Sequence, residues 1–169
     1  MNKDDQRPGE VRLPFDPAET AASAAVVFIG SIRSPWTTRS QCPRSISQAR
    51  EAGGGATVIL DAPWRPGLLG LEKHDYAIVL YWMQQSRRDL IVQSRRHRPE
   101  PTGVFAIRSP VRPNPIALAT VRILKIDQPS GIIEIDAIDC LDGTPLLDIK
   151  PWFRTLDIPD ASEPDAEDR

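Results

Sequence analysis

The chain is poor in the residues that build metal sites and disulfides. Of its 169 residues, two are cysteines and two are histidines. Neither Cys42 nor Cys140 has a neighbour of the metal-binding or redox type, so we expect no metal. Reduced thiols are the simpler interpretation, and they are typical of a cytosolic protein. We therefore expect a cytoplasmic location.

Long hydrophobic runs and nucleotide-binding fingerprints are missing as well. No apolar run approaches the ~20 residues that span a bilayer, and the N-terminus is too charged for a signal peptide. We expect no membrane partner. The glycine run at 53–55 precedes a strand pattern and opens no helix. That order speaks against the phosphate-binding signature of a Rossmann fold and favours a plain loop.

Charge is unevenly distributed along a chain whose net charge is only −2. The segment from Gln84 to Pro113 holds seven arginines against two acids, whereas the last fifteen residues are strongly acidic. A local basic segment can bind phosphate even in a slightly acidic protein. The arginines therefore indicate either a contact with nucleic acid or phosphate, or a solvated face.

The organisation along the chain predicts one mainly-β domain between two polar ends. Residues 1–24 are expected to be a disordered or loosely attached arm, 25–155 the domain, and 156–169 an acidic tail. Strands are predicted where β-branched and aromatic residues alternate between turn signals, at 25–32, 56–62, 76–83, 103–109, 118–126, 131–140 and 145–152. Short helices are predicted at 67–74 and 84–94. This pattern favours a β-barrel or sandwich, and a barrel leaves no open edge.

Two segments combine rigid turns with charge. In the first, Asp142 and Gly143 begin a tight turn in which glycine is expected to take a positive φ. It predicts either a simple hairpin loop or a polar lip over a pocket. In the second, Pro113 and Pro115 stiffen the connection that carries Arg108. It predicts either a stiff β-arch or a preorganised binding loop.

Four motifs resemble those of one family. They are "IGSIRSP" (29–35), "GLE" (70–72), "GVFAIRSPVRPNPIALATVRI" (103–123) and "DCLDGTPLLDIKPW" (139–152). In order and approximate spacing they resemble the TsaA/TrmO-like family of S-adenosylmethionine-dependent tRNA methyltransferases, over about residues 25–155. The resemblance implies a small single-domain β-barrel-like fold with a few short helices, unrelated to the Rossmann methyltransferases, and a homodimer. It also implies methyl transfer to the exocyclic amine of a threonylcarbamoyl-modified adenosine beside the tRNA anticodon.

The resemblance assigns roles to particular residues. The S-adenosylmethionine site would comprise Pro43, Arg44, Gln84, Gln85, Arg108, Leu118, Asp142, Gly143, Thr144 and Pro145. Arg44 or Arg108 would hold the cofactor carboxylate, and the Asp142 turn its ribose or adenine. Asp142, Asp148 and Lys150 are the candidate catalytic residues, with either acid as proton acceptor. The expected tRNA contacts are Arg87, Arg88, Arg95, Arg112 and Asn114, although Arg112 could equally face the cofactor or a structural carboxylate.

Two departures from the family pattern leave the substrate open. The chain has Gln84 where the family often has histidine, and Gln84 cannot titrate. It has Ala117 where the family has glycine after "RPNPI", which disfavours a positive φ there. The alternatives are a methyltransferase of the same fold acting on another RNA or a small molecule, and a non-catalytic RNA-binding module.

Overall fold

The structure, a computed structural model, describes residues 7–17, 19, 25–95 and 98–158, and its main body is a β-barrel. The strands are β1 (Val11–Arg12), β2 (Gly30–Arg33), β3 (Ala56–Leu60), β4 (Tyr76–Trp82), β5 (Leu90–Arg95), β6 (Arg98–Gly103), β7 (Ile116–Asp127), β8 (Ile132–Ile135) and β9 (Thr144–Pro151). Six of them close into a barrel in the order β2-β3-β8-β7-β4-β9, with every neighbouring pair antiparallel. The predicted mainly-β barrel is confirmed.

Alternation along each strand fills the barrel interior. In β4, Ala77, Val79 and Tyr81 are buried, while Ile78 and Leu80 between them are only half-buried on the outer face. The inward residues of the other strands are mostly branched aliphatics, such as Ile32, Val58, Val121, Ile133 and Leu146. Period-two patterning is what a sheet with one buried face requires.

A second, three-stranded sheet of order β1-β5-β6 stands beside the barrel, and it overturns one prediction. The helix predicted at 84–94 is wrong, because residues 84–88 form a turn and β5 follows. β5 is paired on both sides, with β6 and with β1 of the N-terminal arm, where Val11 lies opposite Val92. The hydrogen bonds and side-chain pairs of these two strand ladders stabilise the extended conformation more than the weak helical propensity of the segment stabilises a helix. The arm thus contacts the rest of the chain at residues 7–13.

The strand predicted at 103–109 is also wrong. Its first part is a 3₁₀ turn, Val104–Ala106. The carbonyls of Val104 and Ile107 accept hydrogen bonds from the Arg112 guanidinium, so they do not join a strand ladder.

Short helices complete the described chain. The helical signal at 67–74 corresponds to two 3₁₀ helices, Ala62–Leu68 and Leu71–Lys73. The α-helices are α1 (Ile46–Glu51), which the sequence reasoning missed, and α2 (Arg154–Asp157). Ser45 caps α1 by accepting a hydrogen bond from the amide of Gln48, so the signal was a serine before a short polar run.

Candidate functional site

Three long connections open at one rim of the barrel. β2 ends beside the start of β9, with Ile32 opposite Thr144, and β4 ends beside the start of β7, with Trp82 opposite Ile116. Because all barrel neighbours are antiparallel, the connections 34–55, 83–115 and 136–143 all leave from this end. The predicted cofactor residues lie on these connections or within a few residues of them. The fold therefore brings distant parts of the sequence to one rim.

The turn at Asp142 is anchored from both sides. The amide of Asp142 donates to Trp36 O at 2.8 Å, and the amide of Gly143 donates to Ile32 O at 2.8 Å. Asp142 Oδ1 accepts a hydrogen bond from the amide of Ser34 at 3.1 Å and an ion-pair contact from Arg33 Nε at 3.1 Å. Gly143 has a φ of 75°, as predicted for this turn. The turn is therefore rigid, and one oxygen of Asp142 is used within the chain.

The Thr144 side chain is less accessible to a ligand than the neighbouring residues of the turn. Its side chain is buried, and its hydroxyl donates to Leu141 O at 2.7 Å. Gly143, by contrast, is exposed, and a Cβ placed on it would meet nothing within 4 Å. A ligand at this rim can therefore approach the backbone of Gly143 closely, whereas the Thr144 hydroxyl serves the turn.

The proline-rich connection is held by arginines. Arg112 Nε donates to Ser109 O at 2.9 Å, and its Nη2 binds the two carbonyls of the 3₁₀ turn. Arg88 Nε donates to Pro113 O at 2.5 Å and its Nη2 to Asn114 Oδ1 at 3.4 Å, and the guanidinium lies over the Trp82 ring. Arg112 was expected to face tRNA, the cofactor or a structural carboxylate, and in the structure its guanidinium instead binds three backbone carbonyls. Carbonyls do not neutralise a charge, so the connection stays basic.

Arg87 and Arg95 behave differently from these two. Arg87 is buried and pairs with Asp89 at 2.9 Å, so its guanidinium faces the protein and not solvent. Asp89 also pairs with Arg12 of the arm at 2.8 Å. The hydrogen bond from Arg87 lowers the pKa of Asp89 to about 2 in spite of burial. Arg95 ends β5, and its side chain lies outside the described residues.

The exposed cations and amides lie close to the rim. Arg108 is exposed and donates from Nη2 to Leu118 O at 2.9 Å, so it is held against the start of β7. Arg44 is exposed just before α1, and Pro43 beside it is half-buried. Gln84 and Gln85 are exposed directly after β4. Together they line the rim with polar groups that face solvent.

Asp148 and Lys150 lie on another part of the surface. They form an ion pair at 2.5 Å, and the ladder places them opposite Leu80 and Ile78 on the outer barrel face. Asp148 is four residues along β9 from Thr144, roughly 13 Å at the rise of a strand. Leu80 also pairs with Leu118 of β7 on its other side, so Leu118, which is 45% exposed, lies on the same outer face. The structure thus groups Asp148 with Leu118 and separates it from the Asp142 turn.

A carboxylate that the site prediction omitted lies at the same rim. Asp139 is half-buried, and its Oδ1 accepts a hydrogen bond from the buried Tyr81 hydroxyl at 2.7 Å. Burial, and then the Asp139 charge, raise the pKa of Tyr81. The available signal was "DCLD", in which Asp139 is the first of two acids.

Both thiols lie near this carboxylate and are unreactive. Burial raises the pKa of Cys140 to about 12. Burial and the charge of Asp139 likewise raise the pKa of Cys42. A raised pKa disfavours the thiolate form, so neither thiol is suited to act as a nucleophile at this rim. In the described part of the chain, no group of three or more potential ligands could hold a metal ion.

Comparison with known proteins gives a consistent result. The family model described as tRNA-methyltransferase O N-terminal domain matches residues 31–158. A probable S-adenosyl-L-methionine-binding protein, VirR of Rhizobium radiobacter, is 42% identical over 128 residues, which cover 76% of this chain and 70% of that protein. The tRNA (adenine(37)-N6)-methyltransferase of Escherichia coli is 32% identical over 141 residues, covering 79% of this chain and 60% of that enzyme.

The solved structures agree in fold and in extent. The crystal structure of TrmO from Pseudomonas aeruginosa superposes with a TM-score of 0.66 at 28% identity, and the match covers 87% of this chain and 64% of that one. The chain thus spans under two thirds of the solved TrmO and of the Escherichia coli enzyme. Among the residues described, no helix is long and apolar enough to cross a membrane. The matched span is most of the chain and includes the whole rim, so the chain belongs to the tRNA-methyltransferase O N-terminal domain family, as its motifs predicted.

Proposed function

We propose that this chain is an S-adenosylmethionine-dependent tRNA methyltransferase that methylates the exocyclic amine of threonylcarbamoyl-modified adenosine beside the anticodon. Family membership supports the enzyme class and the cofactor, and at the level of the family both predictions are confirmed. The modified adenosine is the finer part of the proposal. The observation that carries the proposal is the convergence of three of the four family motifs on one rim, with the Asp142 turn between β8 and β9 and Arg108 beside β7. The fourth motif, at residues 70–72, lies between β3 and β4 at the opposite end of the barrel.

The residues at the rim fit S-adenosylmethionine in chemistry. The cofactor carries a carboxylate, a positively charged sulfur and an adenosine, and it supplies the methyl group when bound. Arg44 and Arg108 are exposed guanidinium groups suited to the carboxylate. Asp139 and Asp142 are carboxylates suited to ribose hydroxyls or to a positive charge. The open backbone at Gly143 permits close approach of a flat ring.

The chain contributes chiefly by positioning. Arg112 and Arg88 hold the proline-rich connection through carbonyl hydrogen bonds, and that connection carries Arg108. The Asp142 turn is fixed by two backbone hydrogen bonds, one to Ile32 in β2 and one to Trp36 just after it. Holding an amine in line with a methyl group removes much of the entropic part of the barrier. Rigid walls on either side of the rim therefore supply much of the catalysis.

The basic connection supports RNA as the substrate. Arg88, Arg108 and Arg112 bind neutral carbonyls and an amide oxygen, so each keeps its positive charge near the rim. Phosphates of an RNA loop bind such a surface, with an affinity that falls as salt rises. Arg87 is neutralised by its ion pair with Asp89 and therefore adds little to the positive charge of this surface.

A homodimer and a cytoplasmic location are part of the proposal. Support for the dimer comes from the outer barrel face, where Ile116 is 41% exposed and Leu118 is 45% exposed on the strand that borders the rim. Adjacent exposed apolar side chains of this kind favour burial in an interface. A second chain on this face would also cover Asp148.

The decisive experiment is methyl transfer to a defined tRNA. The full chain is incubated with S-adenosylmethionine and a tRNA that carries threonylcarbamoyl adenosine but lacks the methyl group, and the nucleosides are analysed by mass spectrometry. We expect a gain of one methyl group on that nucleoside. The same tRNA without the threonylcarbamoyl group is the matched control and should stay unmethylated.

Other outcomes separate the rival functions. Cofactor binding by calorimetry with no product on either tRNA would contradict the proposal and favour the same fold acting on another substrate. RNA binding with no cofactor affinity would favour a non-catalytic module. The alternative of the same fold acting on another substrate is retained because the chain has Gln84, which cannot titrate, where the family often has histidine.

A further inference from the structure

Tyr81 carries a hydroxyl group into a largely aliphatic barrel interior. Tyr81 is 2% exposed, and its neighbours in the core are aliphatic apart from the Cys140 thiol. Phenylalanine would fill the same space without a hydroxyl that costs free energy to bury unless it is hydrogen-bonded. The hydroxyl donates to Asp139 Oδ1. Its effect is to fix that carboxylate at the rim.

The backbone on both sides of Asp139 is fixed as well. Ile138 O accepts a hydrogen bond from Trp36 Nε1 at 2.8 Å, and Cys140 O accepts one from the Ser34 hydroxyl at 2.7 Å. Asp139 is therefore held by its side chain to β4 and by its flanking carbonyls to the segment after β2. A carboxylate whose side chain and flanking backbone are held by three hydrogen bonds is preorganised.

The second oxygen of Asp139 is available to a ligand. In the part of the chain that the structure describes, Tyr81 is the one hydrogen-bond donor to this carboxylate, and no side-chain oxygen is buried without a partner. Oδ2 is thus reachable from solvent. The hydrogen bonds from Trp36 and Ser34 to its flanking carbonyls attach Asp139 to the start of the connection 34–55, which also carries Pro43 and Arg44.

The other candidate acids are occupied by cations. Asp142 contacts Arg33, and Asp148 pairs with Lys150 on the outer face. A bound cation competes with a substrate for a carboxylate oxygen. Asp139 has no cationic partner among the described residues, although it lies between the segments that form the proposed cofactor site.

We propose that Asp139 is the proton acceptor of the methyl transfer and that Tyr81 is the residue that positions it. This inference rests on the proposed function. The exocyclic nitrogen forms a bond to the methyl carbon as the sulfur–carbon bond of the donor breaks, with that electron pair remaining on sulfur. The proton of the nitrogen passes to Asp139 Oδ2 and from there to solvent. The nitrogen needs such an acceptor because its lone pair is delocalised into the ring and the carbamoyl group.

The first test is Asp139→Asn, which keeps an oxygen that can accept the Tyr81 hydrogen bond. Single-turnover methyl transfer at saturating cofactor and tRNA should slow by about 100-fold or more, the range for loss of a positioned base. The dissociation constant of S-adenosylmethionine, measured by calorimetry, should stay within about threefold. Asp127→Asn, at the exposed last residue of β7, is the matched control and should leave both values unchanged.

The second test is Tyr81→Phe, alone and combined with Asp139→Asn. Alone it should slow the transfer by about tenfold because the carboxylate loses its anchor. In the Asp139→Asn background it should slow the transfer no further, since a residue that acts only through Asp139 has nothing left to position. A role in packing alone would lower the rate equally in both backgrounds. Melting temperatures identify any variant that does not fold, and if Asp139→Asn is one of them, Asp139→Ser replaces it in both tests.

Several results would overturn the inference. A transfer rate of Asp139→Asn within about threefold of the wild type would exclude a proton acceptor. Weakened cofactor binding with an unchanged rate at saturation would make Asp139 a cofactor ligand instead. A wild-type chain that binds the cofactor and transfers no methyl group contradicts the proposed function itself, and the role of Asp139 with it.

Discussion

At the scale of single residues, Arg108 links the proline-rich connection to the cofactor site. It is exposed and is held to Leu118 O by one nitrogen, so its other nitrogens face solvent. If it binds the cofactor carboxylate, Arg108→Ala should weaken S-adenosylmethionine binding by about 1.5–3 kcal/mol, the typical worth of a charge-assisted hydrogen bond. Calorimetry measures this, with Arg154→Ala in α2 as a control for loss of an exposed cation. Unchanged affinity in a folded Arg108→Ala variant would refute the role.

Asp89 makes the stability of the chain depend on acid pH. Its pKa is lowered to about 2 in the folded chain, chiefly by the hydrogen bond from Arg87. A group with a depressed folded pKa stabilises the fold above its unfolded pKa, near 4, and loses that contribution as pH falls towards 2. We expect the free energy of unfolding to lose about 2 kcal/mol over this window. Urea denaturation at pH 5 and near pH 2.5 measures the loss.

Asp89→Asn is the control for that measurement. It removes the titration, so the part of the pH dependence that belongs to Asp89 should disappear from the variant. The variant should also be less stable at pH 5, because Arg87 stays buried without its counter-charge. An identical pH dependence in both proteins would show that other groups carry the acid sensitivity.

At the scale of elements, Gly54 after α1 allows close packing against Trp36. A Cβ on Gly54 would lie 2.4 Å from Trp36 Cζ2 and 3.2 Å from Ala49 O. The indole nitrogen of Trp36 donates a hydrogen bond to Ile138 O, and the Trp36 carbonyl accepts one from the amide of Asp142. Trp36 therefore supports the backbone at the rim. Gly54→Ala should therefore destabilise the fold by about 1–3 kcal/mol through overpacking.

The adjacent glycine provides the control for this substitution. A Cβ on Gly55 would meet its nearest atom, Ile135 O, at 3.9 Å, an ordinary contact. Gly55→Ala should leave the free energy of unfolding nearly unchanged by urea denaturation, and Gly54→Ala should also weaken cofactor binding. Equal stabilities of the two variants would argue against the role of Trp36 at the rim.

At the scale of the whole molecule, the exposed outer face of β7 predicts self-association. We expect multi-angle light scattering to give twice the 18.8 kDa of one chain. Ile116→Asp should shift the mass to that of one chain, because it places a charge in the apolar interface. Leu124→Asp, at the other end of the same strand and 56% exposed, is the matched control and should keep the dimer. A wild-type mass of one chain at all concentrations would contradict the dimer.

Local sequence patterns determined most of the barrel and the positions of its turns. Alternation in β4 and the turn at Gly143 were readable because a strand buries every second residue and a tight turn needs a positive φ. Long motifs such as "LDGTPLLDIKP" determined the family. These signals are local, so they do not depend on which segments meet in space.

Only the tertiary structure decided which polar groups share the rim and which are used inside the chain. Residues 90–95 form strand β5 because β1 and β6 both pair with them. Residues 104–106 form a 3₁₀ turn, and the Arg112 guanidinium donates a hydrogen bond to a carbonyl of that turn. Asp148 lies on the outer face because the β4–β9 ladder shifts its register between the pairs Tyr81–Leu146 and Leu80–Asp148. Asp139 and Tyr81 are 58 residues apart, and no local pattern links them. The β4–β9 ladder brings them together, because Tyr81 on β4 pairs with Leu146, which follows Asp139 by seven residues.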